Sequence, residues 1–222
     1  MIRRTTIALA TASLFLGACA TKLPKADLSA FEAAKPHSIL IVPAVNQSLF
    51  VEAPNYVLSS LTVPLANKGY YVFPVNTVKT VLEQEGLYEP ERVQQLAPEK
   101  LAAMFGADSV LYVKINRWDT TYAVISSSTT VDMEYRIVDK SGQELWKARK
   151  QLVYTPQQTN TGSLLGDLVA AAVVAAIQRA APDYMPLVNQ ANAQVFLTGP
   201  TALPPGPYAR QKGQSPAQES VN

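Results

Sequence analysis

The sequence predicts an α/β fold: a mixed sheet with three parallel βα crossovers, followed by an antiparallel hairpin and a C-terminal helix. Three observations predict it. Continuous apolar runs of strand length alternate with segments of helical periodicity as far as residue 115. Period-two alternation then takes over from Tyr122 and, after a turn, runs back to Tyr154. Beyond that, apolar residues recur at helical spacing from Leu165 to Ile177.

Each element has its own signal. Ser38 to Val42 is an unbroken apolar run stopped by Pro43, the mark of a strand buried on both faces. Asn55 reads as the N-cap of a helix carrying Val57, Leu58, Leu61 and Leu65 inward, with Gly69 past its end. Pro64 predicts a kink in it, because proline removes a donor and clashes with the preceding turn. Tyr70 to Phe73 reads as a second strand closed by Pro74, and Thr77 to Glu85 as a short helix before Gly86. Pro98 opens another helix, facing Leu101, Met104 and Phe105 inward and stopping at Gly106; Val110 to Ile115 is the third strand. The alternating half places Val131, Met133, Tyr135 and Ile137 on one face and Thr130, Asp132, Glu134 and Arg136 on the other. Asp139 to Gly142 supplies the turn, and Glu144 to Tyr154 returns with Trp146, Ala148, Leu152 and Tyr154 on one side. Lys150 is the exception on that side. After a polar loop, Thr155 to Gly162, comes the apolar helix; Asp167 and Gln178 leave too few apolar residues between them for a membrane span, so it is expected on the sheet or in a subunit contact. A further short helix is expected from Asp183 toward Phe196, and disorder from residue 198 to 222, where Pro, Gly, Gln and Ser dominate.

The N-terminus has a different purpose. Arg3 and Arg4 precede an apolar stretch from Ile7 to Leu16, and residues 1–18 read as an export signal. The ending Leu16-Gly17-Ala18-Cys19 resembles the bacterial lipobox, in which a peptidase cuts before the cysteine and that cysteine takes the acyl chains. Cys19 is the one cysteine of the chain. Buried methylenes contribute about 0.8 kcal/mol each, so a multiply acylated Cys19 would hold the protein to a membrane where a single chain would not. Ala20 in place of Asp favours the outer membrane, by resemblance to lipoprotein sorting in enteric-type bacteria. Residues 19–36 then read as a tether to a domain of residues 37–197, spanning about 23 Å as a flexible coil.

Composition narrows the chemistry. The 222 residues are 48% hydrophobic and 16% charged, and loss of the two leader arginines leaves seventeen cations against seventeen anions. No cationic excess remains for nucleic acid. His37 is the one imidazole, which excludes a His-based metal cluster and any Ser-His-Asp triad that does not use it. Pro43-Ala44-Val45-Asn46-Gln47 lacks the glycines of a phosphate loop. No catalytic residue, metal or cofactor is therefore assigned. Asp132 with Glu134 forms at most an acidic patch on a solvated strand face. The connection from Asn46 through Leu49, Phe50 and Val51 to Pro54 stands out more, since it puts apolar residues after a parallel strand, where ligands of open α/β sheets collect. Partner binding is assigned to Asn46, Leu49, Phe50, Asp132 and Glu134, with core capping as the alternative for Leu49 and Phe50.

Several segments are similar to a family of Gram-negative lipoproteins that includes a meningococcal surface-antigen candidate. They are the lipobox, Ile39-Leu40-Ile41-Val42-Pro43-Ala44-Val45-Asn46, Ala53-Pro54-Asn55-Tyr56, Pro64-Leu65-Ala66, Gly69-Tyr70-Tyr71-Val72-Phe73-Pro74-Val75 and Phe105-Gly106-Ala107-Asp108. Ala44 stands where the family pattern has a second proline. The resemblance implies the fold of the TolB amino-terminal domain, shared with the curli-secretion lipoprotein and a lipoprotein activator of peptidoglycan synthases, and it implies no activity. The expectation is a lipid-anchored outer-membrane protein facing the periplasm, a non-catalytic module for envelope proteins in a secretion or surface-assembly complex, with homo-oligomerisation open. Activation of a peptidoglycan synthase is the alternative, though the tether is short for crossing the wall. An envelope enzyme using His37, Asp108, Asp132, Glu134 or Lys150 ranks below it.

Overall fold

A computed structural model describes residues 26–122, 127–154, 164–177 and 183–209. The export signal, Cys19, the loop at 155–162 and the tail beyond 209 lie outside the described residues. Helix α1 (Ser29–Ala34) precedes β1 (Ser38–Ile41) and β2 (Val45–Asn46), followed by α2 (Ala53–Asn67) and β3 (Tyr71–Val72). Three helices come next, α3 (Val75–Gln84), α4 (Pro90–Gln95) and α5 (Pro98–Phe105). Three long strands then follow, β4 (Ser109–Tyr122), β5 (Ser127–Asp139) and β6 (Glu144–Tyr154). Helices α6 (Leu164–Ile177) and α7 (Met185–Ala193) come last, α7 running into a π-helical turn at Gln194–Thr198.

The sheet order is β3-β1-β4-β5-β6, with β2 also beside β4. β1 pairs in parallel with β3 and β4, and β2 in parallel with β4; β4, β5 and β6 are antiparallel neighbours. This is the mixed sheet expected. Continuous apolarity in β1 has the expected cause: Ile39 and Ile41 face one core with Val57, Leu61 and Val188, while Leu40 and Val42 face a second core with Val78, Leu82 and Leu101. One carboxylate ties the two central strands at their starts. Asp108 accepts from the backbone N–H groups of His37 and Ser38 at 3.0 and 3.2 Å and from the Ser38 hydroxyl at 3.2 Å.

The C-terminal half is locked to the sheet by a buried polar chain. The Tyr135 hydroxyl of β5 donates to Asn192 Oδ1 of α7 at 2.6 Å, Asn192 Nδ2 donates to the Ser60 hydroxyl of α2 at 2.7 Å, and Ser60 donates to the Val57 carbonyl at 2.7 Å. All three residues are buried, so each link replaces water that could not be present.

The folded domain extends past both expected bounds. Residues 29–34 are helical, not tether, because Phe31 inserts edge-on against Tyr70 with ring centroids 5.8 Å apart. Nor is the C-terminal segment free from residue 198: as far as Ala209 it lies along the base of the domain. Leu203 is buried, Trp146 Nε1 donates to the Thr201 carbonyl at 2.8 Å, and Gly206 N donates to the Lys68 carbonyl at 2.7 Å. Gly69 allows this approach, since it has φ +88° and a Cβ there would run into the backbone of Ala209.

Smaller differences have local causes. The Asn55 N-cap is not formed: α2 starts at Ala53 with Pro54 in its first turn, and Asn55 Nδ2 instead donates to Glu52 at 2.8 Å. The same helix continues as one element through Pro64, which is buried. Met104 is exposed rather than inward, while Phe105 packs against the second core. α1, α4 and the two-residue β2 were not expected. The long apolar helix does not lie flat on the sheet: of its described side chains only Val173 is buried.

Asn192→Ala should leave the Tyr135 hydroxyl without its acceptor and lower stability by about 2 kcal/mol in urea unfolding. Combining it with Tyr135→Phe should cost less than the sum of the two single changes.

Candidate partner-docking site

The strand register gives the domain two ends. Ser38, Ser109, Asp139 and Glu144 mark a base, where Ala26 donates to the Pro200 carbonyl at 3.2 Å. Tyr122, Ser127 and Tyr154 mark the far end, and Asn46, beside Ile115, stands midway along β4. The candidate site lies beyond β2, beside the far half of β4.

Its loop is built by Asn46. After β2, Gln47 N donates to the Ile115 carbonyl at 2.8 Å and the chain then turns away from the sheet. Asn46 Oδ1 accepts from the Ser48 backbone N–H and hydroxyl at 3.0 and 2.7 Å, and its Nδ2 donates to the Phe50 carbonyl at 2.9 Å. This is the self-bonding behaviour of Asn in turns, and it spends the side chain on the loop. Asn46 therefore positions the site rather than presenting itself to a partner.

The loop sorts its apolar residues oppositely. Phe50 turns inward and is half-buried in a cage with Tyr56 of α2, Trp118 of β4 and Tyr184 before α7; its centroid lies 6.0, 5.3 and 5.4 Å from theirs. Tyr56, Trp118 and Tyr184 also pack on one another at 5.7 to 5.9 Å. Leu49 and Val51 point outward, 99% and 82% exposed. Phe50 thus caps the core, and Leu49 is the residue left exposed. A groove of about 230 Å³ runs beside the cage, lined by Glu52, Asn55, Tyr56, Ser59 and Met185.

Helix α6 presents a second, larger apolar surface. It lies in sequence between Tyr154, at the end of β6, and Tyr184, which packs on Trp118 and bonds to Thr120. Leu168 is 67% exposed, Val169 is 48% exposed, and Ala171, Ala172 and Ala175 are exposed with them. A 14-residue helix of this composition is uncommon on a solvated surface unless something covers it.

The two acidic residues assigned to partner binding do not join this site. Asp132 is only 6% exposed and is neutralised by Arg149, whose Nε and Nη2 donate to its two carboxylate oxygens at 3.0 and 2.6 Å. Glu134 accepts from Asn116 Nδ2 at 3.0 Å and has Arg149 Nη1 at 3.6 Å. The expected solvated acidic patch is thus a structural ion-pair cluster, because the bulge between Ile115 and Arg117 and the cross-strand register bring Arg149 over both carboxylates and Asn116 over Glu134. Lys150 sits half-buried opposite Met133, and burial pushes its ammonium below the usual lysine range. His37 lies at the base, its Nδ1 3.8 Å from Asp108. Among the described residues no group of His, Cys, Asp and Glu could hold a metal ion, and no helix is long and apolar enough to cross a membrane.

Tyr56, Trp118 and Tyr184 escaped the sequence reading, which for α6 left the sheet and a subunit contact both open. The cage residues come from four separate segments, so no spacing connects them. The one usable signal was the excess of alanine, valine and leucine in α6 over what one buried stripe needs.

The family described as "Putative lipoprotein GNA1162-like" matches residues 26–208. The chain is 40% identical over 164 residues to "Putative lipoprotein NMB1124/NMB1162" of Neisseria meningitidis serogroup B, which covers 73% of this chain and 76% of the relative. It is also similar to the crystal structure of lipoprotein GNA1162 from Neisseria meningitidis, with 39% identity, a TM-score of 0.55, and coverage of 62% of this chain and 96% of that one. The PelC dodecamer from Paraburkholderia phytofirmans is more distant, at 16% identity and a TM-score of 0.42 over 80% of this chain and 91% of that one. The chain belongs to the GNA1162-like family.

The inward and outward roles of the loop predict opposite costs. Phe50→Ala should lower stability by about 2 kcal/mol, whereas Leu49→Ser should change it by less than about 0.5 kcal/mol; urea unfolding measures both.

Proposed function

We propose that this GNA1162-like protein is an outer-membrane lipoprotein, acylated at Cys19 after cleavage behind Leu16-Gly17-Ala18, whose periplasmic domain docks an envelope protein through its far end. The work is non-catalytic, and the setting is a secretion or surface-assembly complex. The observation that carries this reading is the uncovered apolar surface of α6 together with Leu49 and Val51.

Geometry supports a protein rather than the protein's own bilayer as the cover. Only six residues separate Cys19 from Ala26, the first described residue, and a six-residue segment spans at most about 25 Å. Ala26 is at the base. β4, with 14 residues, spans about 45 Å toward the far end. An anchored domain would therefore hold its base to the membrane and turn its apolar end toward the periplasm. The same short spacer weighs against activation of a peptidoglycan synthase across the wall layer.

Two measurements test the proposal. Cys19→Ser should move the protein from the membrane pellet to the soluble periplasmic fraction, and retention in the pellet would refute the anchor. A photo-crosslinking residue placed at Leu49 or Leu168 should yield one shared covalent adduct in living cells, absent when the same residue replaces the exposed Tyr88. Adducts at all three positions, or at none, would refute the docking surface.

A further inference from the structure

The sheet has a second open region, on the face opposite the one packed by α7. Helices α3 to α5 cover this face over β1 and the start of β4. Past Gln94, whose Nε2 donates to the Pro43 and Val113 carbonyls at 2.9 and 3.0 Å, the strands β4, β5 and β6 lie uncovered and form a groove of about 610 Å³. Its charged lining is Lys114, Glu134, Arg136, Glu144, Lys147 and Arg149.

Most of these charges are already matched. Arg149 is held by Asp132 and Glu134, and Lys147 Nζ lies 2.8 Å from Glu144. Lys114 and Arg136 have no carboxylate within 4.0 Å among the described residues. They are diagonal neighbours across β4 and β5, since Tyr112 pairs with Arg136 and Lys114 with Glu134. Arg136 does not swing freely, because its guanidinium carbon rests 4.8 Å from the centroid of the Tyr112 ring. Tyr112 itself is 4% exposed, lines the groove, and has a buried hydroxyl with no hydrogen-bond partner among the described residues. Buried hydroxyls are seldom left so.

We propose that this groove binds an acidic, extended segment of a partner protein, whose carboxylates pair with Lys114 and the stacked Arg136. The open, strand-lined shape suits a chain better than a small ion, and the two unmatched cations set its sign. Such a contact adds selectivity and speed of encounter more than raw affinity, so it weakens steeply with salt. It stands apart from the α6 surface, and a variant that removes one leaves the other in place.

The test uses the full-length protein in detergent micelles and a labelled ten-residue peptide of alternating Glu and Ser, read by fluorescence anisotropy. The expected result is binding that falls about tenfold between 50 and 300 mM salt, is absent for the Gln-for-Glu peptide, and drops at least about tenfold with Lys114→Gln plus Arg136→Gln. Arg136→Gln alone changes only an exposed side chain, so it serves if the pair unfolds, and it should lower affinity several-fold. Lys79→Gln on α3 should leave binding unchanged. Equal binding of the Gln peptide, full binding by the groove variants, or displacement of the peptide by inorganic phosphate at the same concentration would overturn the proposal.

Discussion

One strand has to satisfy neighbours running in opposite directions, and the molecule is organised around that requirement. β4 accepts β1 and β2 in parallel along one edge and β5 antiparallel along the other. Its first half is buried on both faces, from Val110 to Val113, because helices pack above and below the parallel part. Its second half needs cover on one face only, and there the pattern opens into charges and threonines. Break the pairing at Asp108 or the bulge after Ile115, and both the loop at Leu49 and the cation pair in the groove lose their footing.

Cover on the opposite side comes from the C-terminal helix α7 and the strap that follows it. Tyr135, Asn192 and Ser60 join sheet, α7 and α2 through hydrogen bonds that no solvent can replace. This arrangement leaves α6 without a place in the core. Only Val173 among its described side chains reaches it. An ordered apolar helix that the domain itself does not absorb is left as open apolar surface, whereas the groove carries unmatched charge. The two regions differ in chemistry as well as in position.

The elements that were legible from sequence are those with a local cause. Ser38–Val42 announces burial on two faces by unbroken apolarity, and Val131 to Ile137 announces its inward face by alternation. The segments at 26–36 and 198–209 misled, because their proline and polar content resembles disorder, while a single buried Phe31 and Leu203 together with backbone donors hold them down. The site was half legible. Leu49 was identified from its position after a parallel strand, but Phe50 beside it turned inward, since Tyr56, Trp118 and Tyr184 converge from distant segments to receive it. Asp132 and Glu134 looked solvated because nothing in their own segment announces Arg149 on the neighbouring strand.

The two indoles of the chain occupy opposite ends of the domain. Trp146 is fixed at the base by its bond to Thr201, and Trp118 stands in the aromatic cage with no partner for its Nε1 among the described residues. Intrinsic emission therefore carries two separable signals, a base-side indole held by a carbonyl and a second indole ringed by one phenyl and two phenols. A protein reduced to either one would report optically on its own half alone, with no dye attached.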